Sequence, residues 1–196
     1  MPDMNKVISI GNQGFDKIRE NDYFYVDKTG FIKEWWESGD DVTLITRPRR
    51  FGKTLNMDML KCFFSNQYTG RADLFEGLSI WKEEKYRELQ GQYPVIFVSF
   101  ADVKERDYES AVRKIKHILV DLYLQYEFLK KNFSESEQMR YRQISYNMDN
   151  VAAQDALKSL AALLSSYYGK KAIILLDEYD TPMQEAYIHG YWEEFT

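Results

Sequence analysis

Three short runs of the chain are apolar almost without interruption: Val42-Thr43-Leu44-Ile45-Thr46, Pro94-Val95-Ile96-Phe97-Val98-Ser99-Phe100 and Ala172-Ile173-Ile174-Leu175-Leu176. They are too short for helices and rich in β-branched residues, so they read as buried strands. Tyr23-Phe24-Tyr25-Val26 reads as a further short strand. Elsewhere the apolar period changes to that of a helix. Asp27 is placed to cap a helix over about 28–38, which Gly39 closes. A helix over about 53–65 carries Leu55, Met59, Leu60 and Phe63 on one face. A long helix over about 107–131 sets Ile115, Ile118, Leu119, Leu122 and Tyr126 in a stripe. Ser134-Glu135-Ser136-Glu137 fits a capping box opening another helix. The next helix, over about 151–168, ends at Gly169, and 184–195 reads as the last. Residues 66–94 are mixed, with a turn at Tyr68-Thr69-Gly70. Continuous apolar strands separated by helices predict a mainly parallel sheet covered on both faces, the α/β class.

The chain has 196 residues, 44% of them hydrophobic and 16% aromatic, enough for one domain with a substantial core. A single cysteine, Cys62, excludes a disulfide framework and a cysteine zinc site, and His117 and His189 are too few for a histidine-rich one. The start of the chain lacks a basic segment followed by an apolar run, and no stretch approaches the ~18 apolar residues of a membrane span. A cytoplasmic protein is the expectation. The net charge of −5 opposes broad attraction to nucleic acid. Its local distribution is uneven. Arg47, Arg49, Arg50 and Lys53 lie in a segment without acids, whereas Asp177, Glu178, Asp180, Glu185, Glu193 and Glu194 lie in one without Lys or Arg.

Two motifs give these segments a chemistry. Arg47-Pro48-Arg49-Arg50-Phe51-Gly52-Lys53-Thr54 keeps the second Gly, the Lys and the Thr of G-x-x-x-x-G-K-[ST] and has Arg47 in place of the first Gly. Gly52 lets backbone amides close around a phosphate, and the amides opening the next helix point at it. Lys53 reaches β- and γ-phosphate oxygens, and Thr54 offers a hydroxyl to Mg²⁺. The tripeptide alone is weak, but a strand is predicted directly before it and a helix directly after. The bland alternative is a solvated basic turn. Ile173-Ile174-Leu175-Leu176-Asp177-Glu178 has the pattern of a Walker B strand, with Asp177 toward Mg²⁺ and Glu178 toward the attacking water. Its bland alternative is a buried strand running into solvated acids. Asp180 serves either as a supplementary metal or water contact or as a helix cap before Thr181-Pro182.

With these motifs in place, the chain resembles the bacterial predicted AAA-ATPase (AAA-ATPase-like) family, related to STAND and AAA+ NTPases. The resemblance rests on Gly14-Phe15-Asp16-Lys17-Ile18-Arg19-Glu20, Tyr25-Val26-Asp27-Lys28-Thr29, the Arg47–Thr54 segment and Leu176-Asp177-Glu178-Tyr179-Asp180-Thr181-Pro182. It runs from about residue 8 to residue 196, and Arg in place of the first loop Gly is the family's usual form. It implies a P-loop NTPase three-layer sandwich with strand order 5-1-4-3-2, of which only three strands can be placed. The expectation is a single truncated domain with an N-terminal lobe over 1–40 and a partial nucleotide-binding core over 41–196. Strands 42–46 and 172–176 would then not pair directly, and self-association is one way to bridge them. The implied cofactors are ATP and Mg²⁺, with hydrolysis between the β- and γ-phosphates. The implied phosphate site is Arg49, Arg50, Phe51, Gly52, Lys53, Thr54 and Leu55; Thr54 and Asp177 are the metal residues, and Glu178 is the catalytic one. Phe15, Tyr25 and Val26 are candidates for a base contact, or simply pack the N-terminal lobe. Three competing readings are a nucleotide-dependent switch with little turnover, a degenerate interaction module without nucleotide, and a nucleic-acid contact at Arg47–Arg50. The overall acidity disfavours the last.

Overall fold

The computed structural model describes residues 6–46 and 51–195. The chain divides into a unit up to Val95 and a unit from Ile96.

The first unit is built on an aromatic core. Helix α1 (Phe15–Glu20) packs on α3 (Lys53–Phe64), and α2 (Gly30–Ser38) packs on the 3-10 turn at Ser79–Lys82. A short helix α4 (Glu84–Arg87) follows that turn. The sequence of α3 places Met59, Cys62, Phe63 and Phe64 on its inner side, all without solvent exposure. Phe15 stacks on Phe75 with ring centroids 5.1 Å apart, and Phe63 meets Phe75 edge-on at 5.0 Å. Trp36 stacks on Phe64 at 5.3 Å while Trp35 meets the same ring edge-on, so the tryptophan pair is packing material. Cys62 is a small buried group whose thiol lies 3.7 Å from a carboxylate oxygen of Asp58. Burial, with the Asp58 charge behind it, pushes the thiol well above its ordinary pKa. The other work of Asp58 is structural: it accepts the Phe15 amide at 2.7 Å, capping α1 from α3.

Two strands expected in this unit do not form. Residues 42–46 join no ladder among the described residues, and Val42 and Leu44 are 88% and 61% exposed. A β-branched run becomes a strand only when a partner takes its hydrogen bonds, and none does here. Tyr23–Val26 is likewise irregular, with the Tyr23 amide bonded to the Ile18 carbonyl at 3.0 Å and the Phe24 amide to the Val7 carbonyl at 2.9 Å. The third core strand of the expected sheet is therefore not observed.

The second unit holds the sheet. Strand β1 (Val95–Ser99) opens at the boundary and pairs in parallel with β2 (Ile173–Asp177), and the Phe100 amide donates to the Asp177 carbonyl at 3.0 Å. Between them run α5 (Tyr108–Leu124), a 3-10 segment at Glu127–Asn132, α6 (Glu135–Gln143) and α7 (Asn150–Tyr168). The expected helix over 107–131 is thus broken after Leu124. Asp107 caps α5, and Ser134 with Glu137 forms the capping box of α6. Gly169 ends α7 at φ 65. Ile96, Val98, Leu119, Leu122, Leu160 and Leu164 form the centre of the core. Within it the Tyr123 hydroxyl donates to the Ala156 carbonyl at 2.8 Å, and the Tyr141 hydroxyl to the Tyr123 carbonyl. His117 on α5 meets the Tyr146 ring edge-on, with centroids 4.8 Å apart. The single helix expected over 184–195 is two: α8 (Thr181–His189) ends at Gly190, φ 80, and α9 (Trp192–Phe195) follows. No described helix is long and apolar enough to cross a membrane.

Candidate functional site

Gly52 is the turn residue of the first candidate group. It sits at φ 76, where an L side chain is strained, and is the residue immediately before α3. The Asn56 amide bonds to its carbonyl at 3.0 Å, so the helix is fully engaged from its first turn. An α-helix gives the amides of Lys53, Thr54 and Leu55 no partner of its own, and its dipole adds a fractional positive charge there. Phe51 precedes this turn, 61% exposed. The structure thus brings Phe51, Gly52, Lys53, Thr54 and Leu55 together at one helix start. Arg47, Arg49 and Arg50 lie outside the described residues.

A residue from a distant part of the sequence joins this group. The Lys28 ammonium lies 3.7 Å from the point where a Cβ on Gly52 would stand. Its backbone is fixed on both sides. One carboxylate oxygen of Asp27 accepts the Thr29 amide at 2.9 Å and the Thr29 hydroxyl at 2.6 Å; the other accepts the Ser79 amide at 2.7 Å. The Thr29 oxygen in turn accepts the Ile80 amide at 3.2 Å, and Thr29 has no solvent exposure. Burial opposes the Asp27 charge, but the bonds from Thr29 and Ser79 outweigh it and hold the carboxyl below its ordinary pKa. Asp27 therefore acts through this knot rather than as the cap residue of α2, a position taken by Thr29.

Of the three candidates for a base contact, Phe15 is fully buried in the aromatic core and belongs to the packing. Tyr25 is half-buried, meets Phe15 edge-on at 5.4 Å and donates to the Met59 sulfur at 3.3 Å. Burial is the main cause that pushes its hydroxyl up to about 12. Val26 is exposed.

The acidic group stands at the end of β2. Side chains along the strand alternate, so Leu175 and Asp177 are buried while Ile174 and Leu176 are open. Glu178 follows at φ 51, one of two non-glycine residues in the left-handed region among those described. Its carbonyl accepts the Thr181 amide at 3.1 Å and its carboxylate accepts the buried Thr181 hydroxyl at 3.3 Å. Asp180 precedes α8 without capping it through its side chain; it accepts from the Gln184 amide group at 2.6 Å. Thr181 and Lys28 were not singled out from the sequence, although both stand inside segments that carry the family resemblance. The only available signal was their adjacency to the acids of those segments.

Among the described residues no cluster of three His, Cys, Asp or Glu could cage a metal. The Thr54 hydroxyl and the Asp177 carboxylate are hard oxygen donors, which suits Mg²⁺ held mainly by phosphates and water.

Comparison with known proteins agrees on the family. A protein from Azotobacter chroococcum mcd 1, described as an uncharacterized protein in the vnfD 5' region, is 31% identical over 179 residues. The match covers 91% of this chain and 30% of that protein, so the chain spans about a third of its relative's length. No solved structure matches. The sequence pattern of the predicted AAA-ATPase family matches residues 9–196, and the chain belongs to that AAA-ATPase-like family.

Proposed function

We propose that this chain is the ATP·Mg²⁺-binding part of a P-loop NTPase that hydrolyses the bond between the β- and γ-phosphates. The observation that carries the reading is Gly52 in the left-handed conformation directly before a helix whose first residues are Lys53 and Thr54. That geometry supports reading the short sequence match as a phosphate cradle. In this reading the amides from Phe51 to Leu55 and the Lys53 ammonium bind the phosphate chain, with Arg49 and Arg50 beside them. Thr54 and Asp177 would be the residues that hold the metal. Mg²⁺, when bound, neutralises charge on the β- and γ-oxygens. Glu178 accepts a proton from the water that attacks the γ-phosphorus; the bond to the bridging oxygen breaks and ADP leaves with its electrons. Thr181 orients Glu178 through its hydroxyl.

The test is a titration of a fluorescent ATP analogue with and without Mg²⁺, against the wild type and Lys53→Ala. Binding is expected in the wild type and is lost in Lys53→Ala with the fold intact. If Lys53→Ala binds as well as wild type and Arg49→Ala does not, this loop register is wrong. Steady-state phosphate release then separates an enzyme from a switch that binds and holds.

A further inference from the structure

We infer that Lys28 is a second lysine of the phosphate site, binding the phosphate chain from outside the Gly-Lys-Thr loop. The inference rests on the reading of the loop given above. Its own support is the position of the Lys28 ammonium, 3.7 Å from the Cβ point of Gly52 at the mouth of α3. Lys33, Lys61 and Lys85 in the same unit are each neutralised by a carboxylate. Among the described residues the exposed Lys28 has no ion pair, as is also true of Lys17, Lys53 and Lys82; what sets it apart is its place beside Gly52. A cation is not brought beside the positive end of a helix without cost, because the two repel. An anion between them converts that repulsion into two attractions.

The backbone around Lys28 makes the placement specific. Asp27 and Thr29 are both turned into the knot with Ser79 and Ile80, and the side chain between them is directed toward Gly52. The loop supplies one ammonium from the helix start; residue 28 supplies another from a separate element fixed to the 79–80 turn. A polyphosphate, with its charge spread over several oxygens, is the class of anion that uses both. Occupancy of the loop would thus be felt directly by the segment leading into α2.

The test uses the 196-residue chain, a fluorescent ATP analogue with Mg²⁺, and inorganic tripolyphosphate as a competitor without a base. Lys28→Gln is expected to weaken both ligands about tenfold, the size of one lost charge-assisted bond. It should also flatten the salt dependence of binding, and the ligand-free melting temperature should hold or rise slightly as the repulsion at the helix end is relieved. Lys28→Arg should restore most of the affinity. If the wild type binds and Lys53→Ala does not, while Lys28→Gln binds both ligands like the wild type, the assignment of Lys28 is wrong and the loop reading stands. If Lys28→Gln weakens the ATP analogue but not tripolyphosphate, Lys28 acts on the base or ribose and the inference also fails. A wild type that binds neither ligand overturns the loop reading and this inference together.

Discussion

The chain turns sharply at both of its candidate site segments, with opposite materials. Before α3 the left-handed residue is Gly52, at φ 76; after β2 it is Glu178, at φ 51. Glycine takes that conformation without steric cost, whereas a residue with a Cβ is disfavoured by about 1–2 kcal/mol. In the function proposed above, only the backbone is wanted at the first turn, since amides would face an anion and a side chain would be in the way. At the second, a carboxylate is wanted at the bend itself. On the proposed reading, strain is accepted where the side chain is the reagent and avoided where the backbone is. The two turns also differ in support: Glu178 is held by Thr181 through both its carbonyl and its carboxylate, while the Gly52 carbonyl bonds forward into its own helix.

The sharpest way to break this comparison is Glu178→Gln. It keeps the shape and the Thr181 contact but removes the base, so phosphate release should fall about a hundredfold or more while ATP affinity is preserved. Equal turnover in the variant and the wild type would show that the strained residue is not the reagent. Exchanging the materials gives the next largest effects. Gly52→Ala should cost about 1–2 kcal/mol of stability and weaken ATP binding, read from urea unfolding and a titration. Glu178→Gly should instead raise stability by up to about 1 kcal/mol. A loss in that variant would mean that the Thr181 bond outweighs the strain. The smallest effect is expected at Asp27. Its carboxyl is held below its ordinary value, so its stabilising contribution is present above about pH 4 and is lost as pH falls through the depressed pKa. Asp27→Asn should remove about 1 kcal/mol near neutral pH and flatten that acid limb in melting curves between pH 2 and 6. An acid limb identical to that of the wild type would mean that Asp27 is not the group responsible.

Much of the fold was legible because it depends on neighbours in sequence. Gly39 and Gly169 end their helices in the left-handed conformation, α5 starts next to the expected 107, and the Ser134–Glu137 box opens α6. The helix start at Lys53 was legible for the same reason. What failed needed partners. Val42–Thr46 has strand composition, but composition carries no information about which edge will receive it. The break after Leu124 and the stop at Gly190 were also missed, the first because the apolar stripe continues through the 3-10 segment to Tyr126 and Leu129. At the site, the Gly-Lys-Thr and Asp-Glu positions could be read locally. Lys28 could not, because only folding of the 27–29 segment onto 79–80 brings its ammonium to Gly52.

The lone cysteine lends this molecule a clock. Cys62 lies on α3, two turns beyond Thr54, wholly enclosed and held in its unreactive protonated form. Alkylation requires the thiolate and access to it, so a reagent modifies this thiol only when the surrounding packing opens. The chain carries no other sulfhydryl to confuse the count. Where opening and closing are fast, the labelling rate measures the open fraction directly. A ligand that binds only the closed form slows labelling by one plus its concentration over Kd, about a hundredfold at 100 times Kd. If nucleotide binds as proposed at one end of α3, its occupancy becomes readable, without a dye, as elapsed time at the other.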